Sequence, residues 1–307
     1  MHVRTLSSRR NQDRPPKGEA LLFYACISPW LVGLVVFVLG PMIASAYFSL
    51  TRWDLLSPPR WVGLRNYVRL FSDDPLFWQA LRVTLVYTAL YVPTEMVGGL
   101  ALGLLMHQRV PGIRALRTIF YLPSVLSGVA FVVVWMWLLH PDAGLVNAGL
   151  AMVGIQGPRW LADPDTALLA LWLMSLWGLG RAAVLYLAGL QCVSQTLYEA
   201  GAIDGANAWQ AFWHITLPIL TPTIFFNLVL SIIATFQTFT SAFVATNGGP
   251  LDSTLFYVLY LYRQAFSFFN MGYASALAWV LFALVLVLTL AVVRSGSLWV
   301  YYEGERP

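Results

Sequence analysis

The sequence predicts an all-α, polytopic membrane protein built as a bundle of six transmembrane helices. Three observations predict it. Of 307 residues, 59% are hydrophobic and 10% charged, whereas soluble domains carry roughly 45–50% apolar and about 25% charged residues. Six stretches reach the roughly 20 apolar residues that a spanning helix needs: residues 20–50, 83–106, 119–139, 167–190, 217–246 and 271–293. Aromatic residues make up 15% of the chain, with 13 Trp, as expected where indole rings sit at membrane–water boundaries.

The chain divides in order as follows. Residues 1–19 form a polar, disordered tail carrying Arg4, Arg9, Arg10, Arg14 and Lys17, which favours a cytoplasmic N-terminus. Stretch 20–50 follows this basic start, and Ala44-Ser45-Ala46 mimics a cleavage site. A signal-peptide core is about 7–15 residues, far shorter than this run, so the stretch reads as an uncleaved first helix. Pro29 and Pro41 predict kinks or helix starts within it, as Pro218 and Pro222 do at the opening of the fifth. In the loop 51–82, Trp61, Leu64, Tyr67, Leu70 and Phe71 recur at helical spacing until Asp73-Asp74-Pro75 breaks the pattern. That predicts a short amphipathic helix on the membrane surface.

Arg109, Arg114 and Arg117 place the link between the second and third helices inside. Loops 140–166 and 247–270 are then external. Loop 51–82 should also be external, yet it holds Arg52, Arg60, Arg65, Arg69 and Arg82, against the charge rule. The expected organisation is an N-terminal cytoplasmic tail (1–19), a transmembrane domain (20–294) with a cytoplasmic link (195–216), and a cytoplasmic C-terminal tail (295–307).

Several function classes drop out. The net charge of +4 reflects loops, and no basic patch interleaved with aromatics points to nucleic acid. His2, His107, His140 and His214 show no metal-ligand spacing. Cys26 and Cys192 lie near the ends of separate apolar runs, toward the cytoplasmic side, and read as free thiols. No catalytic constellation appears, so the chain is not expected to be an enzyme. Lys17, the only lysine, follows Pro16, so no phosphate-cradling Gly-Lys-[Ser/Thr] loop exists in this chain. A secondary transporter would need ion-coupling groups within the membrane or inverted repeats. Glu95 is the only such acid, and no repeat stands out.

The link is the informative segment. Good helix formers run to Gly205, which allows a sharp backbone turn. Asn207 can cap a second short helix, to which Trp209, Phe212 and Trp213 give an apolar face. Glu199 and Asp204 have no basic residue nearby in sequence, so these acids on a projecting helix look for a partner elsewhere. Glu199-Ala200-Gly201, then Gly205, then Ile215-Thr216-Leu217-Pro218 resemble the EAA loop of importer-type ABC permeases. Gly201 stands where that family usually has Ala. The resemblance implies that this loop docks on a separate ATPase through Glu199, Ala200, Gly201, Asp204 and Gly205.

Further matches narrow the resemblance to the binding-protein-dependent sugar permeases of the maltose, lactose and multiple-sugar type. They are Val62-Gly-Leu-Arg-Asn-Tyr67, Thr246-Asn-Gly-Gly-Pro250 and Met271-Gly-Tyr-Ala-Ser-Ala276. The likeness covers roughly residues 20–294. Neither the extra N-terminal helices nor the large external domain of some maltose-type subunits is present.

On the fifth helix, Asn227, Ser231, Thr235 and Thr238 recur at i, i+4, i+8 and i+11, with Gln237 beside them. Lipid disfavours such groups, so the face lines either a wet cavity or a helix–helix contact. The resemblance implies pathway roles for Trp177, Gly178, Arg181, Ser231, Ala234, Thr235 and Thr238. An intramembrane Arg costs about 2.5–3.5 kcal/mol on insertion scales and needs a partner or a wet cavity. Glu95 is the expected ion-pair partner of Arg181, and contact with an anionic or polyhydroxy substrate is the alternative.

The expectation is thus a multi-pass permease of the bacterial cytoplasmic membrane, with both termini cytoplasmic, importing carbohydrate. Glycerol phosphate or a polyol is the competing cargo. The implied partners are a second permease subunit, ATP-binding subunits that carry the ATP and Mg, an extracytoplasmic solute-binding protein, and membrane lipid. This chain would hold no cofactor of its own.

Overall fold

Five helices of the computed structural model, which describes residues 17–108, 110–126 and 128–301, are long and apolar enough to cross a membrane. A sixth crossing is made if one bent pair counts as a single span. Most of the N-terminal tail, Arg109 and residues 302–307 lie outside the described residues.

The first span, α1, covers Leu21–Ser49. Its apolar side chains are almost all exposed, as suits a helix whose surroundings are lipid. Before Pro41 the helix widens to a π turn, Val35–Leu39, in which the Gly40 N–H reaches back to the Val35 carbonyl. Proline cannot donate to the residue four before it, and the wider turn absorbs that lost bond. The same device recurs before Pro218, where the Leu217 N–H reaches the Phe212 carbonyl across the π turn Phe212–Thr216.

A small hairpin follows, with β1 (Thr51–Arg52) antiparallel to β2 (Arg60–Trp61). Then comes α2 (Arg65–Ser72). The amphipathic helix is therefore shorter than the sequence pattern suggests: Trp61 lies in β2, and Leu64 is the N-cap of α2. Asp74 then caps α3 (Pro75–His107), its side chain accepting from the Phe77 N–H at 3.1 Å, with Pro75 in the first turn. A proline there sacrifices no hydrogen bond.

The expected third span, 119–139, is broken. Segments Ile113–Val125 and Gly128–Leu138 meet at 104°. We label their helices α4 (Ile113–Tyr121) and α5 (Gly128–Leu138). The α-helix ends in a tight 3-10 turn, Leu122–Val125, that contains Pro123. Next come α6 (Leu145–Met152) and α7 (Pro164–Gln191), which a 3-10 turn at Trp177–Leu179 tightens midway. The link holds α8 (Gln195–Ile203). It leads into α9 (Ala208–Ala245), locally interrupted at residues 237–239. After α10 (Tyr257–Tyr262), the chain closes with α11 (Met271–Trp299), so the last helix continues beyond residue 294.

Small residues set the helix packing. A Cβ at Gly99 would stand 2.9 Å from the Ala182 Cβ, and one at Gly103 would stand 2.8 Å from the Tyr186 Cβ and 3.2 Å from the Ala183 carbonyl oxygen. Glycines four apart thus bring α3 and α7 into backbone-level contact, as small-xxx-small pairs do in membranes. Gly98 meets Leu179 while Gly103 meets Leu187, so α3 and α7 run parallel. Their C-terminal ends, at His107 and Gln191, line one pocket beside the link. The α11 C-terminus reaches the same end, where the Tyr301 N–H donates to Thr221 at 2.8 Å. The hairpin, α2, and the starts of α3 and α11 occupy the opposite end. There Gly272 abuts the Thr51 carbonyl.

The segment 247–270 is not a simple external turn. Leu255, Phe256, Tyr257, Leu259 and Tyr260 are buried in the main core with Phe77, Tyr87 and Leu277. The Tyr257 N–H donates to Thr84 Oγ1 at 2.9 Å, and its hydroxyl donates to the Leu277 carbonyl at 2.8 Å. The aromatic run at residues 256–262 is too short to span a membrane, so only its burial reveals it as core.

Candidate functional site

Two regions hold the residues the sequence singles out. The first is the link. Ser194 caps α8, and α8 ends in a Schellman arrangement: the Ala206 N–H reaches Gly201 at 2.8 Å and the Gly205 N–H reaches Ala202 at 3.2 Å. This closure requires a left-handed residue at the turn, and Gly205 supplies it at φ +80°. Asn207 and Gln210 then form a reciprocal capping box, both bonds 2.9 Å. The Tyr198 hydroxyl is 2.8 Å from the Thr216 hydroxyl and ties α8 to the start of α9. Gly201 faces Ile215, whose Cδ1 would lie 3.0 Å from a Cβ placed there. Even an alanine at Gly201 would press on that side chain.

The outcome is two short helices at a bend with a surface that is uncovered among the described residues. Glu199, Ala200, Asp204 and Gly205 are all exposed. Ile203 is 87% exposed and Trp209 69% exposed. The Trp209 and Trp213 rings meet edge-on at 5.6 Å. Glu199 and Asp204 form no ion pair among the described residues. Acids thus stand beside uncovered apolar side chains on capped helices.

The second region is a cavity of about 330 Å³ between α3, α7 and α9, lined by Glu95, Arg181, Asn227, Ser231, Ala234 and Gln237 among others. Glu95, only 5% exposed, accepts a hydrogen bond from the Ser231 hydroxyl. The expected Glu95–Arg181 ion pair does not form. Among the described residues the one salt bridge is Arg263–Asp252 at 3.4 Å. Serine meets the buried carboxylate instead, while Arg181 is exposed along the same cavity.

The other expected residues separate. Arg181, Ser231, Ala234 and Gln237 line the cavity together. Thr235 is buried and turns its hydroxyl to the Ser231 and Ile232 carbonyls at 2.9 and 3.0 Å. Thr238 leaves the stripe because the regular helix stops at Phe236. Trp177 packs tilted against Phe131 and edge-on to Trp135 of α5, with ring centroids 5.6 and 5.7 Å apart, outside the cavity. Gly178 sits in the tight turn beside it. The sequence reading named Glu95 and Asn227 but missed Ala182, Leu185, Leu230 and Ile233 in the wall. It also missed the glycine pair Gly99 and Gly103, whose four-residue spacing was legible in the sequence.

A polytopic helical bundle with a projecting, capped helix pair at one end and a polar cavity at its centre defines a membrane transport permease. Residues 96–296 match the family described as the inner membrane component of binding-protein-dependent transport systems. The chain belongs to that family. It is 42% identical over 298 residues to the probable ABC transporter permease protein YesP of Bacillus subtilis (strain 168), covering 96% of each chain. It is 33% identical to the trehalose/maltose transport system permease protein MalF of Thermococcus litoralis, covering 91% of this chain and 94% of that one. The lactose transport system permease protein LacF of Rhizobium radiobacter is 34% identical, with 86% and 90% covered. In fold, the chain is similar to a chain of a bacterial ABC transporter involved in the import of the acidic polysaccharide alginate. That match has a TM-score of 0.81 at 24% identity and covers 91% of this chain and 96% of that one.

Proposed function

We propose that this permease is one of two transmembrane subunits of an ATP-driven carbohydrate importer. It forms half of the translocation pathway and couples to a separate ATPase through residues 195–216. The observation that carries the coupling role is the rigid, doubly capped helix pair with Glu199, Ile203, Asp204 and Trp209 uncovered at its tip. A device that transmits force must be stiff along its length and unsatisfied at its contact surface, and this loop is both.

Carbohydrate as cargo draws support from the trehalose/maltose and lactose names of the relatives. It is also consistent with Asn227, Ser231 and Gln237 along one cavity wall, since polyhydroxy compounds need several hydrogen-bonding groups at once. Arg181 in the same wall supports a second reading, in which the cargo carries an anionic group, as a glycerol phosphate does. In either case ATP and Mg are held by the partner ATPase, the solute-binding protein docks at the hairpin end, and both termini lie in the cytoplasm with the link. ATP drives the cycle by favouring one of two states of the membrane helices through differential binding.

Transport in reconstituted vesicles with all subunits tests the reading. Replacing Glu199 with Lys is expected to abolish substrate-stimulated ATP hydrolysis while the transporter still assembles. Full stimulation in that variant would overturn the coupling assignment. Competition among maltose, trehalose, lactose and glycerol phosphate for uptake separates the two cargo readings.

A further inference from the structure

Three of the five arginines that defied the charge rule are gathered. Arg52 from β1 and Arg65 and Arg69 from α2 line one cleft of about 290 Å³ at the hairpin end, together with Asn66, Asn270 and Tyr273. None of the three forms an ion pair among the described residues. Of the acids nearby, Asp73 stands exposed at the end of α2 and the other two are hydrogen-bonded by neutral donors. Asp54 accepts from the Ser57 hydroxyl at 2.6 Å and its N–H at 2.9 Å, bonds that hold its carboxyl below the usual carboxylate range. Asp74 accepts from the Tyr260 and Tyr273 hydroxyls. Arg69 rests over the Tyr273 ring at 4.7 Å from its centroid, which positions it without neutralising it. Three like charges held around one small cleft call for an anion.

Two further observations say which anion. The cleft lies where α1 ends at Ser49 and α11 begins at Met271, the two brought together by Gly272 against Thr51 and by the Gly272 N–H to the Trp53 carbonyl at 3.3 Å. Spans enter and leave the bilayer at the level of the lipid phosphates. Beside the cleft, Leu64, Val68 and Phe71 stand at i, i+4 and i+7 of one helical face, all exposed, with exposed Trp61 next to them. A helix with an uncovered apolar stripe flanked by arginines lies in the interface plane, with its stripe among acyl chains and its cations at the headgroups.

We propose that this cleft binds the phosphate of an anionic phospholipid in the leaflet opposite the coupling loop. Arg52, Arg65 and Arg69 clamp the headgroup, and the Leu64–Val68–Phe71 stripe receives the chains. An anionic headgroup is favoured over a zwitterionic one, because a choline ammonium would meet three guanidiniums that form no ion pair among the described residues. The site also explains how an external loop keeps a net positive charge. The proposal rests on the chain spanning the membrane and is independent of the cargo.

The test uses the assembled importer in mild detergent, titrated with phosphatidylglycerol or phosphatidylcholine and read by native mass spectrometry. Wild type is expected to retain at least one phosphatidylglycerol in preference to phosphatidylcholine. The variant carrying Arg52→Gln, Arg65→Gln and Arg69→Gln is expected to bind phosphatidylglycerol about tenfold or more weakly. The Lys versions of the three substitutions keep the charge and should recover part of that affinity, which controls for loss of fold. Equal retention of the two lipids by wild type, or undiminished phosphatidylglycerol binding by the Gln variant, would overturn the proposal. So would a Gln variant whose only defect, in vesicles of phosphatidylcholine alone, is weakened docking of the solute-binding protein, because the cleft would then serve a protein carboxylate.

Discussion

The Ser231 hydroxyl donates to the carboxylate of Glu95, joining α9 to α3 across 136 residues of sequence. This bond gives the buried Glu95 a partner and leaves Arg181 exposed in the same cavity. A buried carboxylate is stabilised by hydrogen bonds as well as by opposite charge, so an intramembrane Glu and Arg need not pair to coexist.

Ser231→Ala removes the donor and leaves Glu95 short of a partner. A hydrogen bond to a charged group is worth about 1.5–3 kcal/mol, so the purified protein should unfold at a lower Tm. Glu95→Gln keeps an acceptor for Ser231 and should lose less. An unchanged Tm for Ser231→Ala would show that the bond adds nothing to stability.

Arg181→Met should assemble normally, since no ion pair of Arg181 is broken. Uptake is expected to fall about tenfold or more, equivalent to about 1.4 kcal/mol of lost interaction. Arg181→Lys should retain part of the activity. Normal uptake by Arg181→Met in reconstituted vesicles would remove Arg181 from the transport cycle.

At Gly205 the backbone is left-handed, with φ +80°. An alanine there costs about 1–2 kcal/mol, while asparagine tolerates the conformation better. Substrate-stimulated ATP hydrolysis should therefore rank wild type above Gly205→Asn above Gly205→Ala. A reversed order of the two variants would mean that the turn does not govern coupling.

Gly103→Leu drives a side chain into the Tyr186 Cβ and the Ala183 carbonyl. Overpacking of this kind costs about 1–3 kcal/mol. The expected result is a lower Tm and reduced yield of the assembled transporter. Gly149→Ala, at an open position in α6, serves as the tolerated control.

What the sequence determined by itself was whatever depends on neighbours along the chain. Apolar stretches marked the spans because a bilayer demands about 20 such residues in a row. Gly205 and Asn207 declared the bend in the link because turns and caps are local chemistry. Pro41 and Pro218 declared their disruptions, although the π turn that absorbs each was not foreseen. Tertiary structure decided whatever depends on distant partners. It placed Ser231, rather than Arg181, on Glu95. It bent the third crossing over α7, where a Cβ at Gly180 would stand 2.0 Å from the Phe120 carbonyl oxygen. It drew Tyr257 and Tyr260 out of an expected loop and into the core. It also gathered Arg52, Arg65 and Arg69 into one cleft. The physical reason is the same throughout: hydropathy and capping act over a few residues, whereas pairing a buried charge or shaping a cavity requires groups that only folding brings together.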